Sequence, residues 1–168
     1  MTALWHRVLS CGTLLLAASA ANAAPTASVA DIKAAYLVKF GPFIEWKNAA
    51  PSSPFVICTF GEDDVSKALD GAAKDQTVGD APVSIRHLAA GQPADGCRIL
   101  YFAEGGPPND YPSVLTVTET EQTPHGVISF VIADKHVRFD IDLQMAGKAG
   151  LDVSAKLLGL ARTVRGAP

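Results

Sequence analysis

Two short runs constrain this chain most. Phe55-Val-Ile-Cys-Thr-Phe60 and Arg98-Ile-Leu-Tyr-Phe-Ala103 are of strand length and nearly continuous in apolar character. A strand buried on one face alternates apolar with polar residues; one buried on both faces does not, and such strands occupy the centre of α/β sheets. Breakers bound both runs. Pro54 and Gly61 flank the first, and the Glu104–Pro112 stretch, with two glycines and three prolines, ends the second. That stretch reads as a loop.

The remaining segments supply the layers such a sheet needs. Ser28-Val-Ala-Asp31 resembles a capping box with Asp in the usual Glu position. Ile32, Ala35, Tyr36, Phe40 and Phe43 then recur at helical spacing until Gly41-Pro42 interrupts them. An apolar stub, Phe43–Trp46, follows. Asp63 or Asp64 can cap a second helix carrying Val65, Ala68, Leu69, Ala72 and Ala73. Val83–Leu88 alternates as a half-exposed edge strand, and Val114–Thr118 is a short strand. Val127–Ile132 and His136–Leu143 flank Ala133-Asp134-Lys135 as a hairpin. Asp142 caps a short helix that Gly150 ends, with Leu151 as its apolar follower. A last helix starts near Asp152 or Ser154 and sets Val153, Leu157, Leu158, Ala161 and Val164 on one side. The pattern predicts one α/β domain, three-layer-like, with a mixed β-sheet flanked by helices.

Residues 1–23 stand apart. Met1–Arg7 carries His6 and Arg7, Val8–Ala18 is apolar apart from Ser10, Gly12 and Thr13, and Ala21-Asn22-Ala23 fits an A-x-A cleavage site. This is the layout of a secretory signal peptide cut after Ala23. The apolar run is shorter than the roughly 18–20 residues a membrane span needs, so cleavage is expected rather than anchoring. Cys11-Gly12 lies inside the run instead of after it and makes a poor lipidation site. Cleavage would leave 24–168 as the domain. Losing Arg7 takes the 14 basic side chains to 13 against 17 acidic ones. No later stretch reaches transmembrane length, so no stable membrane insertion of the mature chain is expected. A nucleic-acid partner is disfavoured too, because the net charge is −3 and no Lys/Arg run exists to replace phosphate counterions.

Two cysteines survive such cleavage, Cys58 and Cys97, each in or beside one of the buried-type runs. In an oxidising compartment an even count reads as a disulfide. A redox-active pair or a metal site is the alternative, but the spacing is unlike C-x-x-C and the histidines are scattered.

Other chemistry is sparse. His87 and His136 fall on strand exteriors and His125 lies in a Pro-His-Gly turn, with no H-E-x-x-H or i,i+4 spacing. Asp140 and Asp142 could pair for acid–base work, but an acidic solvent face and a helix cap account for them. Asp63-Asp64 after Gly61 lacks any phosphate-loop pattern. No G-x-S-x-G elbow exists, and Ser154 reads as a cap. Tyr36, Phe40, Phe43 and Trp46 could line a groove, with core packing as the default reading. Neither a catalytic set nor a cofactor is indicated.

Phe139-Asp-Ile-Asp-Leu143, the small-residue segment to Gly150, Leu151-Asp-Val-Ser154 and Leu157-Leu-Gly-Leu-Ala161 together resemble the closing signature of the YfiR-like periplasmic proteins: F-x-I-N-L, a small-residue helix, G-L-x-I-S, then L-L-x-L-A. Ala34–Phe40 with Phe43–Trp46 resembles that family's opening helix. Val114–Val117 and Gly126–Phe130 resemble its middle segments, and Cys58 and Cys97 fall where the family places a cysteine pair. Lys47 stands where proline is common and Asp142 where Asn is usual; the 105–112 stretch is too short for the expected helix. The resemblance implies a periplasmic regulator without catalytic activity. Such a protein can form a homodimer, and it represses an inner-membrane diguanylate cyclase by binding the cyclase's periplasmic portion, restraining cyclic di-GMP and biofilm formation. Two other classes remain open: a periplasmic small-ligand binder with its cleft by the 104–112 loop, and a hydrolase or thiol oxidoreductase using Cys58 and Cys97.

Overall fold

The computed structural model describes residues 26–47, 53–89 and 91–166; the leader expected in residues 1–23 and its expected cleavage site at Ala23 lie outside them. Helix α1 (Val29–Phe40) opens on the capping box, with Ser28 Oγ accepting from the Asp31 N–H and the Asp31 carboxylate accepting from the Ser28 N–H. A 3₁₀ turn at Gly41–Phe43 follows, where Pro42 sits at the start because its missing N–H costs nothing there. The apolar stub that comes next is a strand, β1 (Ile44–Trp46).

The first buried-type run is β2 (Phe55–Phe60). Asp63 caps α2 (Asp64–Ala73), taking the Ser66 N–H on its side chain. A two-residue strand, β3 (Thr77–Val78), turns into β4 (Ala81–Leu88). The second buried-type run is β5 (Ile99–Phe102). Then come β6 (Leu115–Glu119), β7 (Ile128–Ala133) and β8 (His136–Asp142). Asp134 and Lys135 both have positive φ, 50° and 63°, as a two-residue hairpin turn of the primed type demands. Asp142 caps α3 (Leu143–Lys148), which Gly150 ends at φ 70°. The chain closes with β9 (Leu151–Val153), α4 (Ala155–Leu158, capped by Ser154) and β10 (Thr163–Arg165).

Eight strands form one mixed sheet in the order β10-β8-β7-β6-β5-β2-β4-β3, and β1 pairs antiparallel with β9 beside it. Strands β4, β2, β5, β6 and β7 run parallel. β8 and β3 run antiparallel to their inner neighbours, and β10 is parallel to β8. β2 and β5 are therefore central, as their patterning predicts. β4 is the last full-length strand on its side, since β3 covers only its first two residues.

The odd-numbered side chains of β2 and β5, together with Leu115, Val117, Phe130 and Phe139, face α1 and α2 and form the main core. Tyr36 and Phe40 pack there against Phe130 and edge-on to Phe139, with ring centroids 5.3–6.3 Å apart. The aromatic residues of α1 are thus core, and Trp46 packs edge-on to Phe55. No described helix covers the opposite face of β4, β2 and β5. Loop side chains Ala94, Cys97, Tyr111 and Val114 close a smaller apolar cluster over Cys58, Leu88, Leu100 and Phe102.

Two expectations fail. The last helix does not extend to Val164: α4 is a single turn, and Thr163–Arg165 instead pairs with Asp140–Asp142 as an edge strand. Gly159 weakens helix propagation, while β-branched Thr163 and Val164 suit the sheet. Nor does Asp140 face solvent. It is 3% exposed, and Arg162 reaches it with two bonds of 2.8 and 2.5 Å. Arg162, just before that edge strand, reaches the carboxylate, so alternation there marks an ion pair and not a wet surface. The guanidinium bonds hold the Asp140 carboxyl below the usual carboxylate range.

Candidate functional site

The sulfurs of Cys58 and Cys97 are bonded, with Cα atoms 5.8 Å apart. Cys58 sits mid-strand between Arg86 of β4 and Leu100 of β5. Cys97 lies just before β5, so the bond ties β2 to the chain entering its neighbour. Both cysteines are buried, at 0% and 4% exposure, and they help fill the loop-covered cluster. Arg86 Nη2 donates to the Asp95 carbonyl at 2.6 Å and lies 3.0 Å from Cys97 Sγ.

At the carboxyl ends of the parallel strands a second feature appears that the sequence reading missed. Lys33 of α1 is 8% exposed and donates to both carboxylate oxygens of Glu119, at 2.8 and 2.7 Å. The Tyr101 hydroxyl donates to Asp63 Oδ2 at 2.6 Å and lies 3.3 Å from Glu119 Oε1. Burial, then the bond to Asp63 and the charge of Glu119, push the Tyr101 hydroxyl well above its ordinary pKa. It therefore stays a donor. Lys33 also lies 5.8 Å from the Phe130 ring centroid. This clasp joins the starts of α1 and α2 to the ends of β5 and β6. The signal was present in the helix pattern: Lys33 interrupts the buried stripe of Ala34, Leu37 and Val38, and a lysine there must find an anion.

The histidines do not converge. His136 is exposed at the hairpin, 2.6 Å from the Asp134 carbonyl. His125 is half-buried in the 120–127 crossover, with an Nδ1 that has no partner among the described residues. His87 lies 2.8 Å from Thr59 Oγ1 through Nδ1 and 3.3 Å from the Asp70 carboxylate through Nε2. Hydroxyl, imidazole and carboxylate in a row have the composition of a nucleophilic triad. Thr59, however, is 0% exposed inside the sheet, so no substrate carbonyl can reach its hydroxyl. Ser154 and Asp142 are used as caps. Asp64 is left to a 3.8 Å contact with Lys67 on the surface. No group of three His, Cys, Asp or Glu side chains among the described residues could hold a metal ion.

Three concavities among the described residues bear on ligand binding. One of about 490 Å³ lies at the carboxyl ends of β2 and β4, lined by Phe60, Gly61, Glu62, His87, Leu88, Ala89 and Glu104. The strand order reverses between β2 and β5, the place where open α/β sheets bind ligands, but Glu62 and Glu104 there would repel a phosphate. The other two flank the 107–114 segment at the opposite end. One, of about 410 Å³, includes Cys97, Arg98, Asp110 and Tyr111. The other, of about 210 Å³, includes Tyr111, Thr116, Val127, Met145 and Lys148. No described helix is long and apolar enough to cross a membrane.

No curated protein matches the chain. The sequence model of one family, described as YfiR/HmsC-like, matches residues 30–162, from the first turn of α1 to the Arg162 that pairs with Asp140. That match takes in the capped opening helix, both cysteine-bearing segments and the closing α3-β9-α4 unit, and the chain therefore belongs to the YfiR/HmsC-like family.

Proposed function

We propose that this protein is a periplasmic regulator that binds the periplasmic portion of an inner-membrane diguanylate cyclase and represses it, lowering cyclic di-GMP and biofilm formation. Family membership over residues 30–162 carries the reading. A disulfide buried between central strands supports an oxidising compartment, and the export leader read in residues 1–23 belongs to the same proposal. Binding rather than turnover is supported by the sealed Thr59 and by a clasp whose charged groups are all engaged with one another. Repression then works by population shift: a partner that prefers the inactive cyclase conformation lowers output by its differential affinity. Self-association into a homodimer is a further part of the reading.

The test is deletion of the gene in a strain whose membrane cyclase is intact. Cyclic di-GMP should rise several-fold and return to its starting level when the secreted chain is restored, but not when a leaderless version is supplied. Unchanged cyclic di-GMP after deletion overturns the proposal. A second reading, a periplasmic small-ligand binder, draws support from the two concavities beside the 107–114 segment. It predicts ligand-dependent melting across a metabolite panel, and a flat panel removes it.

A further inference from the structure

The loops that follow β2 and β5 lie side by side. Phe60 pairs with Phe102, and the Ala103 N–H donates to the Phe60 carbonyl at 2.9 Å. Gly61 turns the chain at φ 83°, and a Cβ there would stand 3.4 Å from that of Ala103. This pairing brings Glu62 and Glu104, far apart in sequence, to one cavity of about 490 Å³. The charges of the neighbouring clasp are spent on one another, Lys33 on Glu119 and the Tyr101 hydroxyl on Asp63. Glu62 and Glu104 are exposed and have no hydrogen-bond or ion-pair partner among the described residues. Among those residues no lysine or arginine lines the cavity, and its one imidazole, His87, is held by Thr59 and Asp70. The floor is apolar. Phe60 is half-buried and stacks on Phe102 with centroids 5.9 Å apart, and Leu88 is buried. The volume falls in the range of small-molecule sites, about 300–1,000 Å³, and the place is the crevice at the strand ends where the strand order reverses.

We propose that this cavity binds a small organic cation, an ammonium group carried on an apolar body, with Glu62 and Glu104 taking the charge and Phe60 and Leu88 taking the body. The lining selects this chemistry against the alternatives. An anion meets two carboxylates and no compensating cation. An uncharged apolar molecule covers the floor but strips water from the two carboxylates beside it, which costs free energy. A bare metal ion finds too few ligands, since no three His, Cys, Asp or Glu side chains among the described residues are placed to hold one. An alkylammonium or arylalkylammonium satisfies both halves of the site. Its N–H groups donate charge-assisted bonds to the carboxylates, its carbons cover the apolar floor, and the Phe60 ring adds an attraction for the cation. The proposal depends neither on repression of a cyclase nor on the concavities beside the 107–114 segment, which lie at the other end of the sheet.

Titration of the purified, isotope-labelled chain with 2-phenylethylamine, followed through its amide chemical shifts, tests this. The amine should bind saturably with a Kd below about 1 mM and move the amides of Gly61, Leu88, Ala89 and Glu104. Neutral 2-phenylethanol and anionic 3-phenylpropanoate should bind at least about 10-fold more weakly, and so should ethylamine, which has the charge without the ring. Glu62→Gln combined with Glu104→Gln keeps shape and removes both charges; it should weaken the amine by about 10-fold and erase its advantage over the alcohol. Asp80→Asn removes an exposed carboxylate at the opposite end of β4 and should leave the Kd unchanged. Four results each overturn the proposal: no saturation by about 10 mM amine, shifts confined to residues away from the cavity, equal binding of amine, alcohol and acid, or equal weakening by Asp80→Asn and the double variant. If the double variant loses its amide dispersion and so its fold, the comparison of amine, alcohol and acid on wild type decides.

Discussion

Replacing Cys58 and Cys97 together with alanine measures how much of the fold depends on the covalent tie between β2 and the entry to β5. The bond closes a loop of 39 residues. Chain-entropy reasoning assigns such a loop about 13 cal/mol/K, or about 4 kcal/mol at 25 °C. Unfolding entropy of about 2.1 cal/mol/K per residue makes the domain's melting entropy about 0.3 kcal/mol/K, so Tm should fall by about 13 °C. A second signature separates this mechanism from lost packing. The loss acts through the unfolded chain, which becomes free to expand and exposes more surface, so the urea m-value should rise as the midpoint falls. Calorimetry and urea titration read both quantities. Wild type treated with reductant should converge on the variant, slowly, because neither sulfur is accessible until the loop cover opens. A Tm drop under about 3 °C with an unchanged m-value would refute the reasoning and leave β2 and β5 held by packing alone.

Three further substitutions probe the other features. Lys33→Met strands Glu119 beside Asp63 and Tyr101 without its cation and should cost about 3 kcal/mol in urea denaturation; adding Glu119→Gln should restore more than half. Asp140→Asn removes a carboxylate that Arg162 holds below its ordinary range, so the charged form supports the fold. That contribution is complete above the unfolded pKa near 3.9 and disappears as pH falls through the lower folded value. Arg162 is 42% exposed, so solvent screens the pair, and the cost at pH 7 should be about 2 kcal/mol. The gap between wild type and variant should narrow below pH 4 when unfolding is followed by fluorescence. Gly126→Ala would place a Cβ 2.6 Å from the Thr116 carbonyl oxygen and should cost about 3 kcal/mol by forcing the crossover away from β6, read as a lowered urea midpoint.

What the sequence made legible was local. Ser28 with Asp31, Asp63, Asp142 and Ser154 each announce a helix start because a short polar side chain satisfies a free N–H three residues on. Asp134-Lys135 announces a hairpin, and unbroken apolar runs mark β2 and β5. What stayed hidden depends on partners far away in the chain. Lys33 and Glu119 are 86 residues apart, and neither residue type betrays the other. Asp140 reads as wet because alternation assumes an open face, and only the returning chain at Arg162 closes it. The same return converts the tail of an expected helix into β10.

The packing of α1 has a consequence for biogenesis. This helix leaves the ribosome, or a membrane pore, ahead of everything else in the domain, yet the rings that cover Tyr36 and Phe40 belong to Phe130 and Phe139, and the anion for Lys33 is residue 119. Its greasy side must wait, solvent-facing, until most of the polypeptide has emerged. A holding chaperone with affinity for short apolar-faced helices would find its best target in Val29–Phe40.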